Sequence, residues 1–346
     1  MDKLNRLVID YVLGEGACAA GIVTTETLVG GPPSTDLTYV LPEAKAALTF
    51  ALPLDETCIE LFLSKKDRLS HERDNLRTNS VASGLALHVA KYLEQKGFPS
   101  VPLAANEVYR KDVPGGPLAM HPDVSLRYLA VRAGVGHFGL SGNVITASHG
   151  ASVILGGMVT TAPLSPTEPL PASENYCDNC RLCMASCASA LMDPEEETQI
   201  NLGDKSFSYS KRRNYLRCEF VCGGFTGLHP SGKWSTWSPG RFTIPENDAD
   251  FLPAMIKGLK AHSRWPKMAG GHYHVLMQDE LYLTCGHCQL VCHPDKEVRK
   301  KRHRMLTSCG VCLQRPDGEM EFMSPEAAKE YIAKCNPENK NLYGET

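Results

Sequence analysis

Residues 174–187 read ENYCDNCRLCMASC, placing Cys177, Cys180, Cys183 and Cys187 in a C-x2-C-x2-C-x3-C run. This is the spacing by which ferredoxin-type loops hold [4Fe–4S] clusters, short only of the usual following proline, where Ala188 stands. A compact loop can wrap three thiolates around one cubane while the fourth, entering a helix, points away to a second. A partner motif is therefore expected, and Cys285-x2-Cys288-x3-Cys292 in TCGHCQLVCHP supplies it. Crossing the last cysteine of each motif assigns Cys177, Cys180, Cys183 and Cys292 to one cluster, and Cys187, Cys285 and Cys288 to the other. The eighth ligand must come from LRCEFVC, where spacing does not choose between Cys218 and Cys222; Cys222 is taken here, with Cys218 as the alternative. Paired C-x2-C knuckles for zinc need four ligands in all, which leaves the three-cysteine runs unexplained.

The chain has 346 residues, 14 cysteines and a formal net charge of −3. Of those cysteines only Cys18 and Cys58 precede residue 177, so a cysteine-poor first half is joined to a cysteine-rich second half. The charge balance argues against general affinity for nucleic acid or anionic lipid, and there is no apolar run long enough to span a bilayer. The N-terminal MDKLNRLVIDYVLGEGACAA mimics a secretory signal, but Asp10 and Glu15 interrupt its apolar stretch. Leu4, Leu7, Val8, Tyr11 and Val12 instead recur at helical spacing. The expectation is a cytoplasmic chain, where so many thiols are not routine disulfides. Cys18, Cys58 and Cys335 read as small buried hydrophobes, and Cys309-x2-Cys312, lacking a second half, as structural thiols.

Elements must hold these motifs. AALTFALPL (46–54) and SVILGGMVTTAPL (152–164) read as strands, SVASGLALHVAKYLEQK (80–96) as a helix capped by Asn79 or Ser80 and stopped by Gly97. Gly134-Val-Gly-His-Phe-Gly139 matches G-x-G-x-x-G, but a helical SLRYLAVRA precedes it and NVITASHGASVILGG, which reads as a hairpin, follows. That order is the reverse of a dinucleotide fingerprint, so a glycine-rich turn facing a ligand is the better account. SPTEPLPASE (165–174) reads as a linker. The divisions are then an α/β cofactor and substrate domain over 1–170, a two-cluster domain over 171–310 with an aromatic, glycine-rich insertion at 222–275, and a short tail at 311–346. A ferredoxin needs about a fifth of this length, so the first half should hold a further cofactor or substrate.

LTYVLPEAKAALTFALPLD (37–55), AVRAGVGHFGLSGNVITASHGASVILGGMVTTAPL (130–164) and the two cysteine motifs, in this order, resemble the epoxyqueuosine reductase and reductive dehalogenase superfamily. The resemblance implies a nitroreductase-like α+β domain that binds cobalamin, followed by a two-[4Fe–4S] ferredoxin-like domain. It implies electrons passing through the clusters to the corrinoid for a reductive elimination. By the same match Gly134, Gly136, His137, Gly139, Ser141 and Asn143 lie near the corrinoid. Trp237 and Arg241, in the rich segment CGGFTGLHPSGKWSTWSPGRF, are candidate members of a covering loop.

Two departures shape the functional expectation. Where epoxyqueuosine reductases carry an acidic proton donor, the matching position here is Met120, with His121 and Asp123 beside it as candidate acids. Residues 293–346 offer a basic KEVRKKRHR, able to meet phosphate or to be a solvated helix face, in place of the helical-repeat tail of those enzymes. The reading is an oxygen-sensitive oxidoreductase that reduces a small organic molecule by deoxygenation or dehalogenation, fed by an external ferredoxin or flavodoxin, with tRNA as the less favoured substrate. Its rivals are a corrinoid-free flavin/iron–sulfur enzyme and a pure electron carrier.

Overall fold

The computed structural model describes residues 3–104, 108–273, 280–340 and 342–343. In the first half, β1 (Ala19–Thr24), β2 (Ala46–Pro53), β3 (Ser100–Leu103) and β6 (Val153–Thr160) form one sheet in the order β1-β2-β6-β3, every pairing antiparallel. Between them in sequence lie α1 (Lys3–Gly14), α2 (Glu56–Leu63), α3 (Leu69–Gln95), α4 (Leu126–Arg132) and the short ladder of β4 (His137–Phe138) with β5 (Val144–Ile145). The mixed helix-and-sheet expectation is met.

The continuous apolar run of β2 is a strand covered on both faces. Ala46, Leu48, Phe50 and Leu52 join α1 and α3 in one core, while Ala47 and Ala51 face α4 in the other. This is the period-two alternation of a strand, with apolar residues at every step but Thr49, whose hydroxyl donates to the Gly156 carbonyl (3.2 Å). Phe50 is fully buried, and a Cβ on Gly156 of β6 would stand 2.4 Å from its ring. That close approach accounts for the glycine, and the buried ring contributes about 1.5–3 kcal/mol.

Three elements differ from the sequence reading. Helix α3 begins at Leu69, eleven residues before the expected Ser80. Its first turns bury polar groups that an apolar stripe does not reveal: Glu72 accepts the N–H of Gly271 (2.7 Å) and of Leu283 (3.1 Å), and Asp74 that of Asp55 (2.8 Å). The hairpin expected over 143–157 is instead 137–145, closed by the Gly139 N–H on the Asn143 carbonyl (3.0 Å), and Val153–Thr160 belongs to the main sheet. Residues 165–174 are strapped to the first half, Thr167 bonding Ile22 and the Ala133 carbonyl.

The second half carries α5 (Leu182–Ala185), the β7 (Met192–Leu202)–β8 (Lys205–Arg212) hairpin, α6 (Leu216–Cys222), α7 (Phe251–His262), the β9 (His272–Tyr273)–β10 (Glu280–Leu281) pair, α8 (His287–Leu290) and α9 (Lys296–Thr307). A last ladder, β11 (Val311–Gln314) with β12 (Met320–Met323), precedes α10 (Pro325–Lys334). Among the described residues no helix is long and apolar enough to cross a membrane.

Candidate functional site

The cysteine motifs sit at the ends of two short helices, α5 and α8, that pack together. Both begin after a left-handed residue, Arg181 (φ 58°) and Gly286 (φ 86°), so each loop turns sharply into its helix. A small cavity is lined by Cys177, Cys180, Cys183 and Cys292 together, with Gly139 and Ser141 of the glycine-rich turn. Burial, and then the neighbouring thiols of Cys292, Cys177 and Cys180, push the Cys183 thiol up to about 12. Donors surround this set: the Leu140 N–H reaches Cys177 Sγ (3.3 Å), the Tyr176 hydroxyl lies 3.4 Å from Cys292 Sγ, and Arg299 Nη1 lies 3.6 Å from Cys180 Sγ.

A second set lies deeper. Burial raises the Cys285 thiol, with Cys218, Cys288 and Cys187 as its thiol neighbours; Cys288 in turn faces Cys187 and Cys218. Cys218 is raised by its contact with Cys222, by burial and by Cys187. Of the two α6 thiols, Cys218 is the electrostatic neighbour of Cys285 and Cys288, and Cys222 contacts Cys218. Arg212 offers positive charge to Cys288, and Asn143 Nδ2 lies 3.9 Å from its sulfur. Among the described residues no three His, Cys, Asp or Glu side chains converge on one ion; the first thiols line a small cavity and the second are mutual neighbours in the interior. Buried thiols held up in this way ionise only against a compensating cationic centre, so the donor sets fit two iron–sulfur clusters.

Beside the second set opens a cavity of about 390 Å³ between the two halves. Its walls include Met120, Asn143, Arg127, Arg212, Tyr215 and Glu219. Arg127 Nη2 (3.2 Å) and Arg212 Nη1 (3.4 Å) both donate to the Tyr215 hydroxyl. Burial opposes ionisation of that phenol, yet the two guanidiniums prevail and hold it at about 8. One helical turn on, burial pushes the Glu219 carboxyl up to about 7. Arg212 is itself fixed by the Ser141 carbonyl (2.9 Å) and Asn143 Oδ1 (2.7 Å).

The expected site residues divide. Asn143 lines the large cavity, whereas Gly139 and Ser141 line the thiol cavity. Gly134 and Gly136 pack against backbone, a Cβ on them lying 2.3 Å from the Glu168 carbonyl and 2.6 Å from that of Ile145. His137 is half-buried, its pKa lowered by burial, with Nε2 unpartnered. Met120 and Pro122 face the cavity while His121 between them is exposed and Asp123 turns its carboxylate to the Val124 N–H (2.7 Å). Trp237 lies in a core with Phe62, its Nε1 donating to the Phe62 carbonyl (3.0 Å), and Arg241 lines a separate cavity. Sequence reasoning missed Arg212, Tyr215 and Glu219; their signal was KRRNYLRCEFVC, where Tyr215, Cys218, Glu219 and Cys222 recur at helical spacing.

The basic run 296–304 divides: Lys296, Lys300, Lys301 and Arg304 lie on a solvated helix face, while Arg299 and Arg302 turn into the protein. Arg299 meets Asp178 and Cys180, fully buried Arg302 bonds Glu56 and the Leu290 carbonyl, and Lys296, Lys300 and Lys301 pair with Asp178, Glu297 and Glu60.

No family model matches the chain. Curated relatives named epoxyqueuosine reductase include one from Synechococcus sp. (strain RCC307), 38% identical over 63 residues, covering 18% of this chain and 19% of the relative. Another, from Atelocyanobacterium thalassa (isolate ALOHA), is 25% identical over 181 residues, covering 52% and 53%. The chain thus spans from about a fifth to about half the length of these relatives. Among solved structures, an epoxyqueuosine reductase with a modified tRNA stem loop gives a TM-score of 0.40 at 17% identity, covering 66% of this chain and 59% of that one. A catabolic reductive dehalogenase gives 0.48 at 13%, covering 84% and 32%. Over these segments the chain is similar to proteins named epoxyqueuosine reductase.

Proposed function

We propose that the chain is an iron–sulfur oxidoreductase that reduces a carbon–oxygen bond of an epoxyqueuosine-type substrate. One [4Fe–4S] cluster would sit on Cys177, Cys180, Cys183 and Cys292, the other on Cys187, Cys218, Cys285 and Cys288. The observation that carries this reading is the cavity walled by Asn143, Arg212, Tyr215 and Glu219 directly beside the second thiol set. Cys180 is exposed, so electrons from an external donor enter at the first set and leave at the second.

The resemblance implies a corrinoid, and four amide side chains on the cavity, Asn75, Asn79, Asn143 and Gln289, suit the amide fringe of one. Those residues would hold it; when bound, it supplies a metal that collects single electrons and delivers them in pairs. The chain's own groups manage protons. Opening an epoxide to an alkene and water takes two electrons and two protons, and Tyr215 and Glu219 both hold a transferable proton near neutrality on one wall. Arg127 and Arg212 stabilise the phenolate left behind, and Asn143 ties Arg212 to the second thiol set.

The relatives' names favour this substrate class over the free small molecule that the sequence alone suggested. One observation favours the small molecule: two arginines of the basic run 296–304, Arg299 and Arg302, are buried in ion pairs with Asp178 and Glu56. The test is anaerobic turnover of an epoxide-bearing tRNA stem loop and of an aryl bromide, on protein reconstituted with iron, sulfide and cobalamin and assayed for metals. Reduction of the stem loop supports the proposal. Reduction of the bromide alone transfers the substrate to the second reading, and inertness toward both at about eight irons per chain rejects the enzyme.

A further inference from the structure

Arg241 stands outside the site above, in a cavity of about 280 Å³ whose walls include Ser238, Trp265, Lys267, Gln314 and Met320. The side chain is 4% exposed, lies on the Trp265 ring at 4.1 Å, and bonds the Gln314 amide oxygen through Nη2. Its Nε and Nη1 have no hydrogen-bond partner. Gln314 is itself fixed by donating to the Pro266 carbonyl (2.9 Å), so Arg241 is clamped in place. A guanidinium buried without a counter-charge is strongly disfavoured, and burial alone pulls its pKa down to about 10. Arg302, equally buried, has Glu56 as its answer. Arg241 has no such hydrogen-bonded carboxylate at Nε or Nη1; Lys267 on the same cavity adds a second positive charge, and Glu280 is the one carboxylate among the cavity's described walls.

We infer that this cavity binds a small organic anion, whose carboxylate or phosphate oxygens take the free Nε and Nη1 hydrogens of Arg241. A guanidinium presents donors in a planar fork that matches both groups. Lys267 closes the rim over the anion, and Met320 with the edge of Trp265 leaves an apolar wall for its carbon part. The ligand is distinct from whatever the cavity at Tyr215 takes, and the inference does not depend on the reaction proposed there.

The test is calorimetric titration of anaerobically reconstituted protein with inorganic phosphate and, separately, with benzoate. Saturable binding of either one, weakened at least ~10-fold by Arg241→Met with iron content unchanged, supports the site; the probe that binds identifies the anion. Lys267→Ala, an exposed change that leaves the core intact, should weaken the same binding by about threefold and serves if Arg241→Met fails to fold. Failure of both probes to saturate, or affinity indifferent to both substitutions, overturns the inference and leaves Arg241 satisfied by water.

Discussion

The first thiol set makes a sharp prediction about reduction potential. Arg299 Nη1 lies 3.6 Å from Cys180 Sγ, with its guanidinium 5% exposed. A full charge at that distance is worth about 4–5 kcal/mol at an effective dielectric near 20. Most of this is cancelled, because Asp178 bonds the same nitrogen at 2.9 Å, and an electron added to a cluster spreads well beyond one sulfur. On the order of 1 kcal/mol should remain as a preference for the reduced cluster, or about 40 mV for a one-electron couple. Arg299→Met should therefore lower the potential of this cluster by about 40 mV. Tyr176→Phe, which removes the hydroxyl 3.4 Å from Cys292 Sγ, should lower it by roughly 20–40 mV. The measurement is an anaerobic redox titration followed by electron paramagnetic resonance, in a Cys218→Ser background so that one cluster is read alone. A potential that stays within about 10 mV of the parent, or rises, would refute the ligand set and the role given to Arg299.

Iron content separates the α6 thiols: Cys218→Ser should lose about half the iron, whereas Cys222→Ser and Cys309→Ser should keep it. Equal loss in the first two would return Cys222 to the ligand set. Glu72→Ala strands buried Arg68 and the N–H groups of Gly271 and Leu283; it should destabilise by about 3–5 kcal/mol, seen as a melting point lower by about 4–7 °C. A drop under about 3 °C would mean that segment is held by other contacts. His71 is 2% exposed, and burial holds its pKa at about 4. Because the folded value lies below the unfolded one, its contribution is intact above about pH 6.5 and lost as pH falls toward 4. His71→Phe should thus spare the protein roughly 3 kcal/mol of acid destabilisation over that window, measured by denaturant titration at each pH; an unchanged acid limb would contradict a buried neutral imidazole.

How much of this was legible in the sequence follows physical lines. Apolar runs with both faces covered, such as 46–53, declare themselves because every position but Thr49 is apolar. The cysteine spacing declared two thiol sets because loop geometry fixes which thiols can share a centre. The choice of Cys218 did not follow from spacing, since Cys218 and Cys222 occupy one helix face and only the approach of α6 to α8 separates them. The start of α3 was hidden because its inward face buries His71, Glu72 and Asp74, residues that a stripe of hydrophobics leaves out. His121 and Asp123 drew attention by type, but the local backbone turns Met120 and Pro122 to the cavity instead. The proton-bearing wall, Tyr215 and Glu219, is polar sequence beside a cysteine and acquires its character only from Arg127 and Arg212 arriving across the fold.

The crossed thiol sets also impose an order on biosynthesis. Each set draws members from both ends of the interval 177–292, and α9, which covers Cys180 through Arg299, emerges later still. The antiparallel sheet and its helices are complete by Thr160, so the first half can settle while the rest is being translated, as leading domains generally do. With the proposed ligand sets, the second iron centre could not close until residue 288, nor the first until residue 292, is free of the ribosome. Cluster insertion is therefore a late, whole-chain event, and a ribosome stalled before residue 285 would release a folded first half carrying open, oxidisable thiols.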